Sequence, residues 1–203
     1  MSPTRLLVLG VVRMYGRAHG YQVRRELLTW SADRWANVQP GSIYHALKKM
    51  AAEGLLEAVA DVAEGQEGRG PDRVAYRLTE DGETEFQVRL GQMLSQLGEN
   101  DAQNAFGFAA ALTFLTCLPR QRAAALLRHR LTQMEGQLAS VRHVLDQGTE
   151  WGQPAHVNEL YWLWATNASA TMEWVRNLIQ RLEDGEYVMA DDPGRSFGQP
   201  PRP

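Results

Sequence analysis

Residues 38–56 decide how this chain reads: Val38-Gln39-Pro40-Gly41-Ser42-Ile43-Tyr44-His45-Ala46-Leu47-Lys48-Lys49-Met50-Ala51-Ala52-Glu53-Gly54-Leu55-Leu56. Pro40 suits the first turn of a helix, where a missing N–H costs no hydrogen bond, and Gly54 suits the position just past a helix end. The spacing therefore predicts a helix over 40–53. At about 100° per residue, Ile43, Leu47 and Met50 share one face; His45, Lys48, Lys49 and Ala52 lie opposite, flanked by Ser42 and Tyr44. Lys48 and Lys49 are the only lysines in 203 residues. The outer face thus carries amine, imidazole, hydroxyl and phenol donors, the groups that phosphate oxygens and base edges accept.

Upstream, Leu6, Leu7, Leu9, Gly10, Val11, Met14 and Tyr15 surround most of a helix over 5–15. A second helix runs from Tyr21 to about Trp30, with Tyr21, Val23, Leu27 and Leu28 inward, and 31–39 read as a loop. Downstream, 55–62 and 74–78 read as strands around the Gly-rich tip Glu64 to Arg73, which carries Arg69 and Arg73. Thr79 then caps a fourth helix reaching about Leu97. Three helices, a hairpin and a helix are the order of a winged helix-turn-helix.

Charge follows the same division. Residues 1–50 hold eight Lys and Arg against two acids, a charge of +6, whereas 51–203 hold 13 against 22, a charge of −9. A basic end on an acidic body is the footprint of a nucleic-acid reader joined to another domain.

The remainder reads as helical: 105–117, 119–147 and 156–184. Ala124, Leu127, Leu131, Met134, Leu138, Val141 and Leu145 alternate spacings of 3 and 4, a coiled-coil-like seam. The seam serves either an intramolecular core or a dimer interface; two reading helices set about 34 Å apart on a palindrome favour the dimer. On the last helix Val157, Leu160, Trp164, Ala168, Thr171, Val175, Leu178 and Leu182 form one stripe, and Trp162 stands on the polar side. Trp151, Trp162 and Trp164 are candidates for lining an effector pocket, Trp162 foremost. Residues 189–203 read as an unpacked, flexible tail.

Several segments resemble the PadR family of bacterial transcriptional regulators. They are Leu6-Leu7-Val8-Leu9-Gly10, His19-Gly20-Tyr21, Pro40 to Leu47, Glu53-Gly54-Leu55-Leu56 and Tyr76 to Gly82. The resemblance implies a homodimeric winged-helix protein, a repressor that a small aromatic or lipophilic effector releases. The fold expectation is mainly α with a small β-hairpin wing: a DNA-binding domain over 1–97, a helical dimerisation and effector domain over 98–188, and the tail. Ser42, Tyr44, His45, Lys48 and Lys49, with Arg69 and Arg73 of the wing, are the candidate contacts to a double-stranded, pseudo-palindromic operator. This wing departs from the family's more basic ones through Glu64, Glu67 and Asp72.

Catalysis lacks a signature. The five histidines have no metal-ligand spacing, and neither GxSxG, P-loop nor GxGxxG is present, so no enzyme, cofactor or metal is expected. No apolar run approaches the roughly 18 residues of a membrane span and no signal peptide is evident, which points to the cytoplasm. The competing reading is a helical protein–protein adaptor that uses its winged helix as an interaction surface; the charge division favours DNA.

Overall fold

The computed structural model describes residues 3–60, 74–97, 101–148 and 154–201. The wing-tip arginines Arg69 and Arg73, and Trp151, lie outside them. The chain divides into two compact units. One comprises Met1–Leu94, Gly98–Pro119 and Val188–Pro203, the other Ser95–Leu97 and Arg120–Tyr187.

In the first unit α1 (Pro3–Tyr15) is buried on several faces, with Leu6, Leu7, Val8, Leu9, Val11 and Val12 fully enclosed. β1 (Ala18–His19), α2 (Gly20–Thr29), α3 (Ala32–Trp35) and α4 (Pro40–Ala52) follow. The hairpin strands β2 (Leu56–Ala60) and β3 (Val74–Leu78) pair antiparallel, Ala58 opposite Tyr76. β1 pairs with the other edge of β3, so the sheet order is β1-β3-β2. This is the expected winged helix with two additions. The two-residue β1 is too short for an alternating pattern. α3 occupies part of the expected loop 31–39, closed by a 2.7 Å hydrogen bond from Trp35 Nε1 to the Trp30 carbonyl.

Thr79 caps α5 (Glu80–Ser95) as expected: its Oγ1 accepts from Gly82 N at 3.0 Å and donates to the Gly54 carbonyl at 2.7 Å. A Cβ at Gly82 would lie 2.0 Å from the Leu55 backbone oxygen, so only glycine lets α5 start this close to the chain leaving α4. α6 (Asp101–Thr113) begins and ends earlier than the expected 105–117, and Leu115–Cys117 form a 3-10 turn instead. Phe114, fully buried, meets Phe86 edge-on at 5.5 Å and Trp30 at 5.9 Å.

The expectation of a flexible tail over 189–203 is corrected. Val188–Pro203 belong to the first unit, where Met189 is fully buried and Ser196 nearly so. Phe197 stacks on Phe114 at 6.3 Å and tilts against Trp30 at 5.8 Å. Ala190 N donates to the Leu118 carbonyl at 3.2 Å. Composition marked this segment as unable to build a core of its own, but an apolar floor made by residues distant in sequence receives it.

The second unit is a helical hairpin of α7 (Arg120–Asp146) and α8 (Asn158–Glu183). Met134 and Leu138 of α7 pack against Ala165 and Met172 of α8, with Leu131, Val141, Leu145 and Ala168 around them. The heptad seam expected to favour a dimer interface is therefore filled by this chain's own α8. Arg130, 3% exposed, donates to the Gln96 carbonyl at 2.8 Å, and burial depresses its pKa to about 10. Gln133 joins the same segment, donating to the Ser95 carbonyl at 3.1 Å and accepting from Leu97 N at 3.2 Å.

Candidate nucleic-acid interface

α4 is fixed from both ends and from beneath. Gln39, extended, precedes Pro40, and its carbonyl accepts from Ser42 N at 2.9 Å and from Ser42 Oγ at 2.6 Å. At the far end Gly54 N donates to the Ala51 carbonyl and Leu55 N to the Met50 carbonyl, the paired bonds that close a helix. Ile43, Leu47 and Met50 are buried. His45, Lys48 and Lys49 are consequently exposed, as the helical wheel predicts, while Ser42 and Tyr44 are half-buried beside them.

Tyr44 lies over the start of α2. A Cβ on Gly20 would come within 2.7 Å of Tyr44 Cε1, so the ring lies close against that backbone. Ser42 spends its hydroxyl proton inside the chain, on Gln39, which leaves its oxygen lone pairs as the polar group it can offer outward.

Sequence reasoning missed how the helix is held at its C-terminal end. Arg5 of α1 forms an ion pair with Glu53, the residue that ends α4, and donates through Nε to Glu85 of α5 at 3.1 Å. The hydrogen bond with Glu53 raises the pKa of Arg5, against a burial penalty, and Glu85 adds to the effect. The same bond, with Arg5 and Lys49 charges nearby, lowers that of Glu53. Arg89 Nε donates to the same Glu85 oxygen at 2.5 Å. The network bridges elements 48 and 80 residues apart, beyond the reach of any local pattern.

Of the two effector candidates among the described residues, only Trp162 lines the groove that α7 and α8 form. Trp162, 57% exposed, borders an open groove between α7 and α8 with Arg142, Leu145, Asp146, Thr166 and Ser169. Trp164, 43% exposed, does not line that groove and meets Tyr161 edge-on at 5.2 Å. Leu160 and Leu163 are exposed as well, so Leu160 and Trp164 of the expected α8 stripe face outward, whereas Val175, Leu178 and Leu182 are buried. Among the described residues no three His, Cys, Asp or Glu side chains are grouped to hold a metal ion, and no helix is long and apolar enough to cross a membrane.

Residues 8–88 match the model of the transcriptional regulator PadR-like family. No curated protein matches the chain. Among solved structures, Bacillus subtilis PadR in complex with operator DNA is similar at 18% identity and a TM-score of 0.36, covering 88% of this chain and 98% of that one. The same protein in complex with p-coumaric acid gives 18% and 0.36, over 89% and 99%. A PadR-like regulator from Bacillus cereus gives 17% and 0.36, over 90% and 99%.

Proposed function

We propose that this chain, which carries the PadR-like transcriptional regulator domain over residues 8–88, is a homodimeric DNA-binding repressor that a small aromatic or lipophilic effector releases. The observation that carries the reading is the exposed donor face of α4, set on a helix whose inner face, first turn and last turn are all locked. In this reading α4 of each protomer enters a major groove of a pseudo-palindromic operator. Lys48 and Lys49 meet phosphates and supply affinity; His45 and Ser42 reach base edges; the Tyr44 hydroxyl donates to a phosphate. Arg69 and Arg73 of the wing follow the backbone beside the helix.

The outward Leu160, Leu163 and Trp164 support self-association, since a run of large apolar groups on one helix end is costly to leave in water. The effector reading is supported by the groove that Trp162 lines together with Arg142 and Asp146. An effector that binds one arrangement of the paired protomers more tightly shifts the spacing of the two α4 helices; a coupling of about 1–3 kcal/mol suffices.

The test is a fluorescence anisotropy titration with DNA selected by the protein from a random pool. Lys48→Ala and Lys49→Ala are each expected to reduce the salt slope of log affinity by about 1. Affinity independent of salt, and equal in the double variant, would sink the reading.

A further inference from the structure

Beside the exposed face of α4 lies a cleft of about 230 Å³ that α4 shares with the first turn of α1. Its lining is Thr4 and Arg5 from α1 and Ser42, His45, Ala46 and Lys49 from α4, over a floor made by Met50. Among the described residues no carboxylate lines it. The polar groups present are two hydroxyls, of which Ser42's already donates to Gln39, with a guanidinium, an imidazole and an ammonium, a mainly donor set suited to an anion and without the carboxylate ligands a cation favours. The volume falls below the roughly 300–1,000 Å³ of small-molecule pockets.

We propose that this cleft seats one backbone phosphate of the operator, so that α1 and α4 hold the same DNA strand from two sides. The inference rests on the DNA-reading proposal and adds Thr4 and Arg5 to its contact surface. Arg5 is suited to the place because Glu85 takes its Nε and Glu53 its Nη2, which fixes the guanidinium before DNA arrives and leaves Nη1 outside both ion pairs. Such a group loses little side-chain freedom on binding, which strengthens the contact relative to a free arginine. Lys49 supplies the mobile charge, and Thr4 a short hydroxyl that must be reached closely. A phosphate held between two helices fixes how far along the groove α4 lies, which neither lysine can do alone.

Thr4→Glu places a carboxylate in the cleft while remaining favourable in the first turn of a helix, so the fold is retained. With the full chain and its selected duplex, Thr4→Glu is expected to weaken binding about tenfold or more, as loss of a charge-assisted hydrogen bond does. Phosphates are then replaced singly by neutral methylphosphonates. At one position in each half-site the wild-type protein should lose affinity and Thr4→Glu should lose none further. Unchanged affinity in Thr4→Glu beside weakened binding by Lys48→Ala overturns the cleft and leaves the reading of DNA intact. If inorganic phosphate binds the cleft, seen as Thr4-dependent 31P line broadening, while no methylphosphonate position responds, the site is for a free anion and the proposal is wrong. A protein that binds no duplex at all overturns both readings.

Discussion

Arg13 Nη1 donates a 2.6 Å hydrogen bond to the carbonyl oxygen of Gly198, 185 residues later in the chain. The same guanidinium donates through Nε to both carboxylate oxygens of Glu83, at 2.8 and 2.9 Å, and lies 5.3 Å from the centroid of the Phe86 ring. One side chain on α1 thereby joins the start of α5 to the segment that follows α8. Next to it, the Phe197 carbonyl accepts from Thr116 Oγ1 at 3.2 Å and from Cys117 Sγ at 3.4 Å.

Removing residues 189–203 is expected to lower the stability of the first unit. It uncovers Met189's site, strips Phe197 from Phe114 and Trp30, and takes the acceptor from Arg13. Burial of a methionine-sized side chain and loss of an aromatic contact together suggest a cost of about 2–4 kcal/mol. Urea unfolding of the chain ending at Val188 measures it, and an unchanged midpoint would mean the packing contributes nothing.

Cys117 offers a chemical probe of the same segment. Burial raises its thiol pKa to about 11, so the native thiol stays protonated and slow toward disulfide reagents at pH 8. Gly198 covers the sulfur so closely that a Cβ there would lie 2.6 Å from it. The shortened chain is expected to react faster under the same conditions; equal rates would show that the thiol is shielded by other residues.

Gly82→Ala is expected to destabilise the first unit by about 3 kcal/mol or more, because the obstacle at 2.0 Å is backbone and cannot rotate away. Gly41→Ala, where a Cβ meets nothing within 4 Å, serves as the control and should be neutral or slightly stabilising. Thermal melts of the two variants compare them directly.

The Arg5–Glu53 pair carries a pH signature. The folded-state pKa of Glu53 lies below its usual value, so its contribution is complete above the unfolded pKa of about 4.3 and is lost as pH falls through the folded value. Stability measured downward from about pH 5 is expected to fall less steeply in Glu53→Gln than in the wild type. Identical slopes would mean that Glu53 is unperturbed in solution.

Leu160→Ser with Trp164→Ser should shift the protein toward monomer in sedimentation while leaving its unfolding at fixed low concentration nearly unchanged, since both residues are outside the α7–α8 core. Leu138→Ala, inside that core, should instead unfold the hairpin, at a cost of about 2–5 kcal/mol. The opposite assignment of effects would place the interface on the seam.

Much of the first unit is legible because its signals are local. Pro40 and Gly54 bound α4, Thr79 caps α5, and the spacing of Ile43, Leu47 and Met50 turns His45, Lys48 and Lys49 outward. What eluded the sequence depends on partners far along the chain. β1 exists only because β3 supplies its hydrogen bonds, α3 follows a left-handed Ser31, and Arg5 meets its acids across other helices. The heptad seam was visible, but a period states that a stripe needs a partner and never which helix supplies it; here α8 competes successfully because it is tethered to α7. Arg130, a charge on the buried side of α7, carries no sequence mark at all.

The return of the segment after α8 reverses the usual order of events during synthesis, in which the first domain to emerge from the ribosome folds first. Here α1, α2 and α6 emerge early, yet the groove beside Phe114 and Cys117 stays open until translation has passed both long helices. A nascent chain stalled before Phe197 leaves Trp30 and Phe114 without its ring and Arg13 without the Gly198 carbonyl. Completion of the first unit is thus tied to synthesis of the segment that follows α8, and a fragment broken off after α8 inherits the defect.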